Sequence, residues 1–292
     1  MRAIIKSILS FFATKTVSFG FRKDMQSHYY RMRLFLLDSI ISSLFARVRI
    51  EKIGNQSIAF SVPNYISDWR AQTSSLKEPD TIEWINRFKD KSIFWDIGAN
   101  VGIFSLYAAK AKSSTVLSFE PSVFNLELLS RNINLNHLQD NITVMPIPLS
   151  SDSEISKLNL SNTNWAGALS TFKENFGWDG KPLKSTFSIQ MFGATIDDLV
   201  SLFNLQSPDY IKIDVDGLEH LILQGGKNTI ANAKSILIEV NTDFVEQESA
   251  IESSLKAAGF ELETSSLSAF EPDNEDKEPN QLSVYNQIWS RN

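Results

Sequence analysis

Cysteine is absent from this 292-residue chain. The absence excludes disulfides, thiolate nucleophiles and zinc–cysteine sites together, and it fits a reducing cytoplasm. Excess positive charge is also lacking. The formal net charge is -6, which argues against a dedicated nucleic-acid binder, because such a protein gains affinity from counterion release by a basic surface. The apolar run at the N-terminus is far shorter than the roughly 20 residues that span a bilayer. It is interrupted by Lys6, and no small-x-small cleavage site follows it. This stretch reads as an amphipathic helix packed on the body of the protein, in preference to a membrane-surface contact through residues 1–15. Neither an internal repeat nor a low-complexity linker is present.

Forty-two per cent of the chain is apolar, enough to bury a sizeable core at this length. Up to about residue 50, Tyr29, Tyr30, Met32, Leu34, Phe35, Leu36, Ile40, Ile41, Leu44 and Phe45 recur at roughly helical spacing. Residues 48–62 alternate around a Gly-Asn pair and predict a hairpin. Residues 1–75 thus read as a helical and hairpin extension, and 76–292 as the main domain. Pro79 opens a helix with Ile82, Trp84, Ile85 and Phe88 on its apolar face. From SIFWDIG onward, strands and helices alternate, with strand cores that are apolar, such as Ile211 and Ile213, and Ile236, Leu237, Ile238 and Val240. That pattern predicts an α/β fold, a mostly parallel sheet with helices on both faces. Residues 151–190 are polar and read as loop. A helix is expected over 219–231, and two late strands near 260–264 and 285–289, with the acidic run EPDNEDKEP as a solvated loop between them.

Ligands of such sheets bind beyond the carboxyl ends of the strands. Asp96, Glu120, Asp214, Asp216, Glu239 and Asn241 fall there. The loop DIGANVG is not a dinucleotide fingerprint: aligned on Gly98, Asn100 and Ile103 stand where two further glycines are needed. Asp96 would also repel a pyrophosphate, and no Walker lysine follows. S-adenosylmethionine suits these residues better. It has no phosphate, its sulfonium and ammonium favour a carboxylate, and its ribose diol can donate to an acid such as Glu120. The cofactor-binding set is Asp96, Gly98, Ala99, Asn100, Gly102, Glu120, Pro121 and Ser150.

The ordered segments DIGANVG, FEP, IKIDVDGLEHLILQGG and ILIEVN, with KEPDTIEWI before them and ATIDDLV between, resemble the FkbM family of class I S-adenosylmethionine-dependent methyltransferases over about residues 76–265. The resemblance implies a Rossmann-like seven-stranded sheet and methyl transfer to hydroxyl oxygens of sugars, glycolipids or natural products. Asp216 departs from the family, which usually has glutamate there. The acceptor is then a small molecule or glycan.

A hydroxyl acceptor needs its proton removed. Asp214 is the first candidate base, with Glu219 and His220 behind it. Asp214, Glu239 and Asn241 at adjacent strand ends suggest a Mg²⁺ site. Asp214-Val-Asp216 also matches the Asp-x-Asp of metal-dependent glycosyltransferases, but that reading leaves Asp96, the glycine loop and Glu120 unexplained. A non-catalytic nucleoside-binding protein is the remaining alternative, and the acidic cluster counts against it. Asn162, Asn164, Trp165, Phe172, Phe176 and Trp178 combine aromatics and amides suited to stacking on a sugar ring.

Overall fold

The computed structural model describes residues 28–74, 76, 78–267 and 283–291. They belong to two units, Met1–Arg47 and Val48–Asn292. In the first, α1 (His28–Phe45) is a helix with Met32, Phe35, Leu36, Ile40 and Leu44 exposed. The helix expected over residues 1–15 and the acidic run at 271–279 lie outside the described residues.

The second unit opens on the expected hairpin, β1 (Val48–Ile53) and β2 (Gln56–Ser61), turned at Gly54 with φ +53°. The boundary expected at residue 75 moves to residue 47 for a packing reason. Ile53, Ile58 and Phe60 of the hairpin, and Ala71 of α2 (Tyr65–Thr73), are buried in the same apolar layer as Trp84, Phe94 and Tyr107. Hairpin and α2 are therefore part of the α/β body.

The body carries α3 (Pro79–Asn86), β3 (Ile93–Ile97), α4 (Ile103–Lys112), β4 (Thr115–Phe119), α5 (Val123–Leu135) and β5 (Ile142–Met145). After an insertion come α6 (Ile196–Phe203), β9 (Tyr210–Ile213), α7 (Glu219–Gly225), α8 (Lys227–Ile230), β10 (Ser235–Asn241), α9 (Val245–Ala257), β11 (Glu261–Leu267) and β12 (Val284–Ser290). The seven-stranded sheet has the order β11-β12-β10-β9-β3-β4-β5. Strands β10, β9, β3, β4 and β5 run parallel, and β12 runs antiparallel to both β10 and β11. The Rossmann-like mostly parallel sheet expected from the sequence is present. Alternation along β3 sends Phe94 into the layer with α4 and the hairpin, and Trp95 and Ile97 into the layer with Ile196, Ile222 and Ile251.

Two elements differ from expectation. The helix expected over 219–231 breaks between α7 and α8 at Gly225-Gly226, where a Cβ on Gly225 would lie 2.2 Å from the Ser150 carbonyl oxygen. The segment 151–190 is not loop throughout. It forms a second, antiparallel sheet from β6 (Glu154–Leu160), β7 (Ser170–Phe172) and β8 (Phe187–Gly193), in the order β7-β6-β8. Its own apolar cluster is small, with Leu158, Leu160, Phe172 and Leu218 buried, so its strands carry little hydrophobic signal.

Candidate active site

Strand β3 has its chain neighbour β4 on one side and the distant β9 on the other. This switch point leaves a crevice at the carboxyl ends. A cavity of about 410 Å³ occupies it, lined among others by Gly98, Asn100, Glu120, Asp214, Asp216 and Glu239.

The glycine loop is built by backbone contacts. The Gly98 and Ala99 N–H groups both donate to the Phe119 carbonyl at 3.0 Å, and Asp214 N–H donates to Ile97. Gly98 has φ +87°, and a Cβ there would stand 1.8 Å from the Asp214 carbonyl oxygen, so only glycine fits. Gly102, at φ +86°, is close to Leu129 of α5 instead, and makes room for helix packing.

Of the expected cofactor set, Gly98, Ala99, Asn100, Glu120 and Pro121 line the cavity; Asp96, Gly102 and Ser150 do not. Asp96 is 1% exposed and points beneath the loop, where its Oδ2 accepts from Ser105 Oγ at 2.5 Å in the first turn of α4. A carboxylate in that position complements the helix dipole. Burial pushes Asp96 up, against the pull of Lys212. Ser150 is buried, with its N–H bonded to the Ala194 carbonyl, and the lining at that place comes from Ile147, Pro148 and Leu149.

Glu120 accepts the Asn100 N–H at 2.9 Å through Oε2 and the Ser122 N–H at 2.7 Å through Oε1. Burial pushes it up to about 7. Its carboxylate has further lone pairs to offer. Asn100 and Asn125 each donate Nδ2 to the Gly167 carbonyl, while their buried Oδ1 atoms have no partner among the described residues. Both side chains line the cavity.

Lys212, which the sequence reading passed over, organises the acidic end. It is 1% exposed and its Nζ lies 2.6 Å from Asp214 Oδ2 and 3.9 Å from Glu78. Burial pulls Lys212 down, but Asp214, Glu78 and Asp96 outweigh it and hold the ammonium above its usual range. Burial, then the carboxylates of Asp214 and Glu219, push Glu239 well up. A lysine inside the apolar strand Tyr210–Ile213 was the available signal, because a buried ammonium requires a partner.

Glu219 and His220 do not reach the cavity. Glu219 staples the turn after β9, accepting from Val215 N–H at 2.9 Å and Gln247 Nε2 at 2.5 Å. The half-buried His220 ring packs between Phe176 and Phe244. Asp216 lines the cavity, and its Oδ2 accepts the N–H groups of Leu169 at 2.7 Å and Ser170 at 3.2 Å. Burial, then Asp214, push it up to about 6.

These bonds belong to a cover. The carbonyls of Trp165, Ala166 and Gly167 accept in turn from Asn64, Arg70 and the pair Asn100 and Asn125. With the two bonds to Asp216, they fix residues 165–170 against the cavity. Trp178 also lines the cavity, its carbonyl held by Asn241 Nδ2 at 3.0 Å. Phe176 and Trp165 do not line it.

The residues fit S-adenosylmethionine. Five carboxylates face two cations in the lining, and the orphan amide oxygens accept hydrogen bonds from hydroxyl or amino groups. The fit to Mg²⁺ fails on the donors. Lys212 already holds Asp214, and Asn241 spends Nδ2 on Trp178 and Oδ1 on the Asp243 N–H. Among the described residues no group of three or more His, Asp or Glu is arranged for a metal ion. The same occupancy counts against an Asp-x-Asp sugar-nucleotide site, since Asp216 faces backbone N–H groups. Among the described residues no helix is long and apolar enough to cross a membrane.

Comparison with known proteins agrees with this arrangement. Residues 96–262 match the model of the methyltransferase FkbM domain. A hexuronic acid methyltransferase of Haloferax volcanii, AglP, is 23% identical over 194 residues, 66% of this chain and 74% of the relative. Two solved structures are similar at lower identity. Methyltransferase FkbM from Methylobacillus flagellatus KT is 14% identical with a TM-score of 0.44, over 89% of this chain and 60% of that one. The M. jannaschii TYW2 in complex with AdoMet is 11% identical with a TM-score of 0.41, over 84% of this chain and 87% of that one. Because the matched region takes in the glycine loop, Glu120 and the acidic strand ends and spans more than half of the chain, the protein belongs to the FkbM family of S-adenosylmethionine-dependent methyltransferases.

Proposed function

We propose that this methyltransferase acts on a hydroxyl oxygen of a sugar, a glycan or glycolipid, or a related natural product. The observation that carries the reading is the pairing of Asp214 and Glu239 at adjacent strand ends, in one cavity with the glycine loop and Glu120. The sugar class is supported by the relative that is a hexuronic acid methyltransferase, and by the half-buried Trp178 at the cavity wall, an aromatic face on which a sugar ring can stack. An acidic lining and a net charge of -6 disfavour a nucleic-acid acceptor.

S-adenosylmethionine supplies an electrophilic methyl group. Glu120 would accept from the ribose hydroxyls, and the Asn100 and Asn125 amide oxygens would be available as further acceptors. Gly98 and Ala99 let the backbone approach, and Pro121, Ile147 and Leu149 give the apolar wall. Glu239, which lines the cavity beside Asp214, is the residue placed to take the acceptor proton in its ionised form. Asp214, fixed by the Lys212 ammonium, orients the acceptor hydroxyl.

The test is transfer of labelled methyl to a panel of sugars and glycolipids, read as the mass gain of one methyl group. Glu239→Gln and Asp214→Asn should each keep product-analogue affinity and lower turnover by about 100-fold or more. Turnover of both variants near that of the native protein would remove these residues from the chemistry.

A further inference from the structure

Arg70 is a cation of the cavity wall without a carboxylate partner. It sits in the last turn of α2, outside the residues that match the family, and lines the cavity. Its Nε donates to the Ala166 carbonyl at 2.7 Å, which locks the direction of the guanidinium. Among the described residues no Asp or Glu oxygen lies within salt-bridge distance of it. By contrast, Lys212, the other cation of the lining, is paired with Asp214. Arg70 acts on Asp216 only at longer range, pulling that carboxyl down. Ala166 and Gly167 are adjacent, and Asn100 of the glycine loop bonds the second of them, so the guanidinium stands over the glycine loop.

A half-buried guanidinium, held by one nitrogen with its terminal nitrogens left over, is a prepared carboxylate receptor. We infer that Arg70 clamps a carboxylate bound in this cavity, and its place over the glycine loop assigns that carboxylate to the amino-acid end of the cofactor. The inference rests on the proposed cofactor site. In that site five acidic side chains suit the ammonium and sulfonium of S-adenosylmethionine, but its carboxylate would be repelled without a cation beside it.

The experiment is calorimetry of the full chain and of Arg70→Met with two ligands. S-adenosylhomocysteine carries the carboxylate, and 5′-methylthioadenosine lacks the whole amino-acid end. The expected result is a loss of about 10- to 100-fold in S-adenosylhomocysteine affinity with methylthioadenosine affinity unchanged. Arg70→Lys should recover part of the loss. An equal loss for both ligands would overturn the inference, because Arg70 would then act only by holding Ala166. Unchanged affinity for both would also overturn the assignment to the cofactor. In that case a raised KM for uronic-acid acceptors alone would move the clamp to the acceptor. Failure of the native chain to bind either ligand would instead refute the cofactor site itself.

Discussion

Replacing Lys212 by methionine removes one charge from a site that is otherwise acidic, and its cost can be worked from the contacts. The ammonium is 2.6 Å from Asp214 and 3.9 Å from Glu78, and it also attracts Asp96 and Glu239. Breaking a buried pair on one side costs about 3–5 kcal/mol, because the partner charge stays behind. Asp214 keeps 26% of its side-chain exposure, so water offsets part of the loss. The low end, about 3 kcal/mol, is therefore expected. For a body of this size that corresponds to a fall in Tm of about 6–12 °C. The deficit should be largest at pH 8 and shrink towards pH 5, where the crowded carboxyls protonate. Adding Asp214→Asn should restore at least about 1 kcal/mol through the coupling of the two sites. Thermal unfolding followed by circular dichroism at both pH values measures all of this. A Tm within about 2 °C of the native value at pH 8 would show that the ion pair does not hold the site together.

Gly98→Ala should fold poorly or lose cofactor affinity by more than about 10-fold, since its Cβ meets the Asp214 carbonyl and its φ is left-handed; binding to S-adenosylhomocysteine reads this directly. The pH dependence of stability has a defined sign. Glu120, Glu219 and Asp216 are raised in the folded state to about 7, about 7 and about 6. The stability they contribute is complete below their unfolded values and is lost as pH rises through 6–7. Tm of the free protein should thus fall between pH 5 and 8 in differential scanning fluorimetry. Saturating S-adenosylmethionine should flatten that fall, because a cationic ligand favours ionised Glu120 and Asp216. A free-protein Tm that rises over the same range would contradict the burial of these groups.

Much of the site was legible because strand ends are legible. The apolar runs of β3, β9 and β10 are buried on both faces, and the acidic residues that follow them fall at one edge. Which way each side chain turns was not. Phe94 and Asp96 share one face of β3 and Trp95 and Ile97 the other, so Asp96 supports the loop from below while its position in the motif suggests ligand contact. Ser150 lies one residue beyond the lining, which ends with Ile147, Pro148 and Leu149. Glu219 and Asp216 are acidic residues spent on backbone N–H groups, a use that composition does not distinguish from catalysis. The sheet of residues 154–193 escaped notice because few of its side chains reach an apolar layer. Arg70 lies in a segment without a motif, and only the folded chain brings α2 over the glycine loop.

We propose that the cavity at the β3 switch point holds S-adenosylmethionine with its ribose on Glu120. Calorimetric titration of S-adenosylhomocysteine into the native chain and into Glu120→Ala tests it most directly. Binding to the native chain without added metal is expected, with a weakening of about 1.5–3 kcal/mol in the variant, the range for hydrogen bonds to a charged group. No binding to the native chain, or equal affinity in the two proteins, would contradict it.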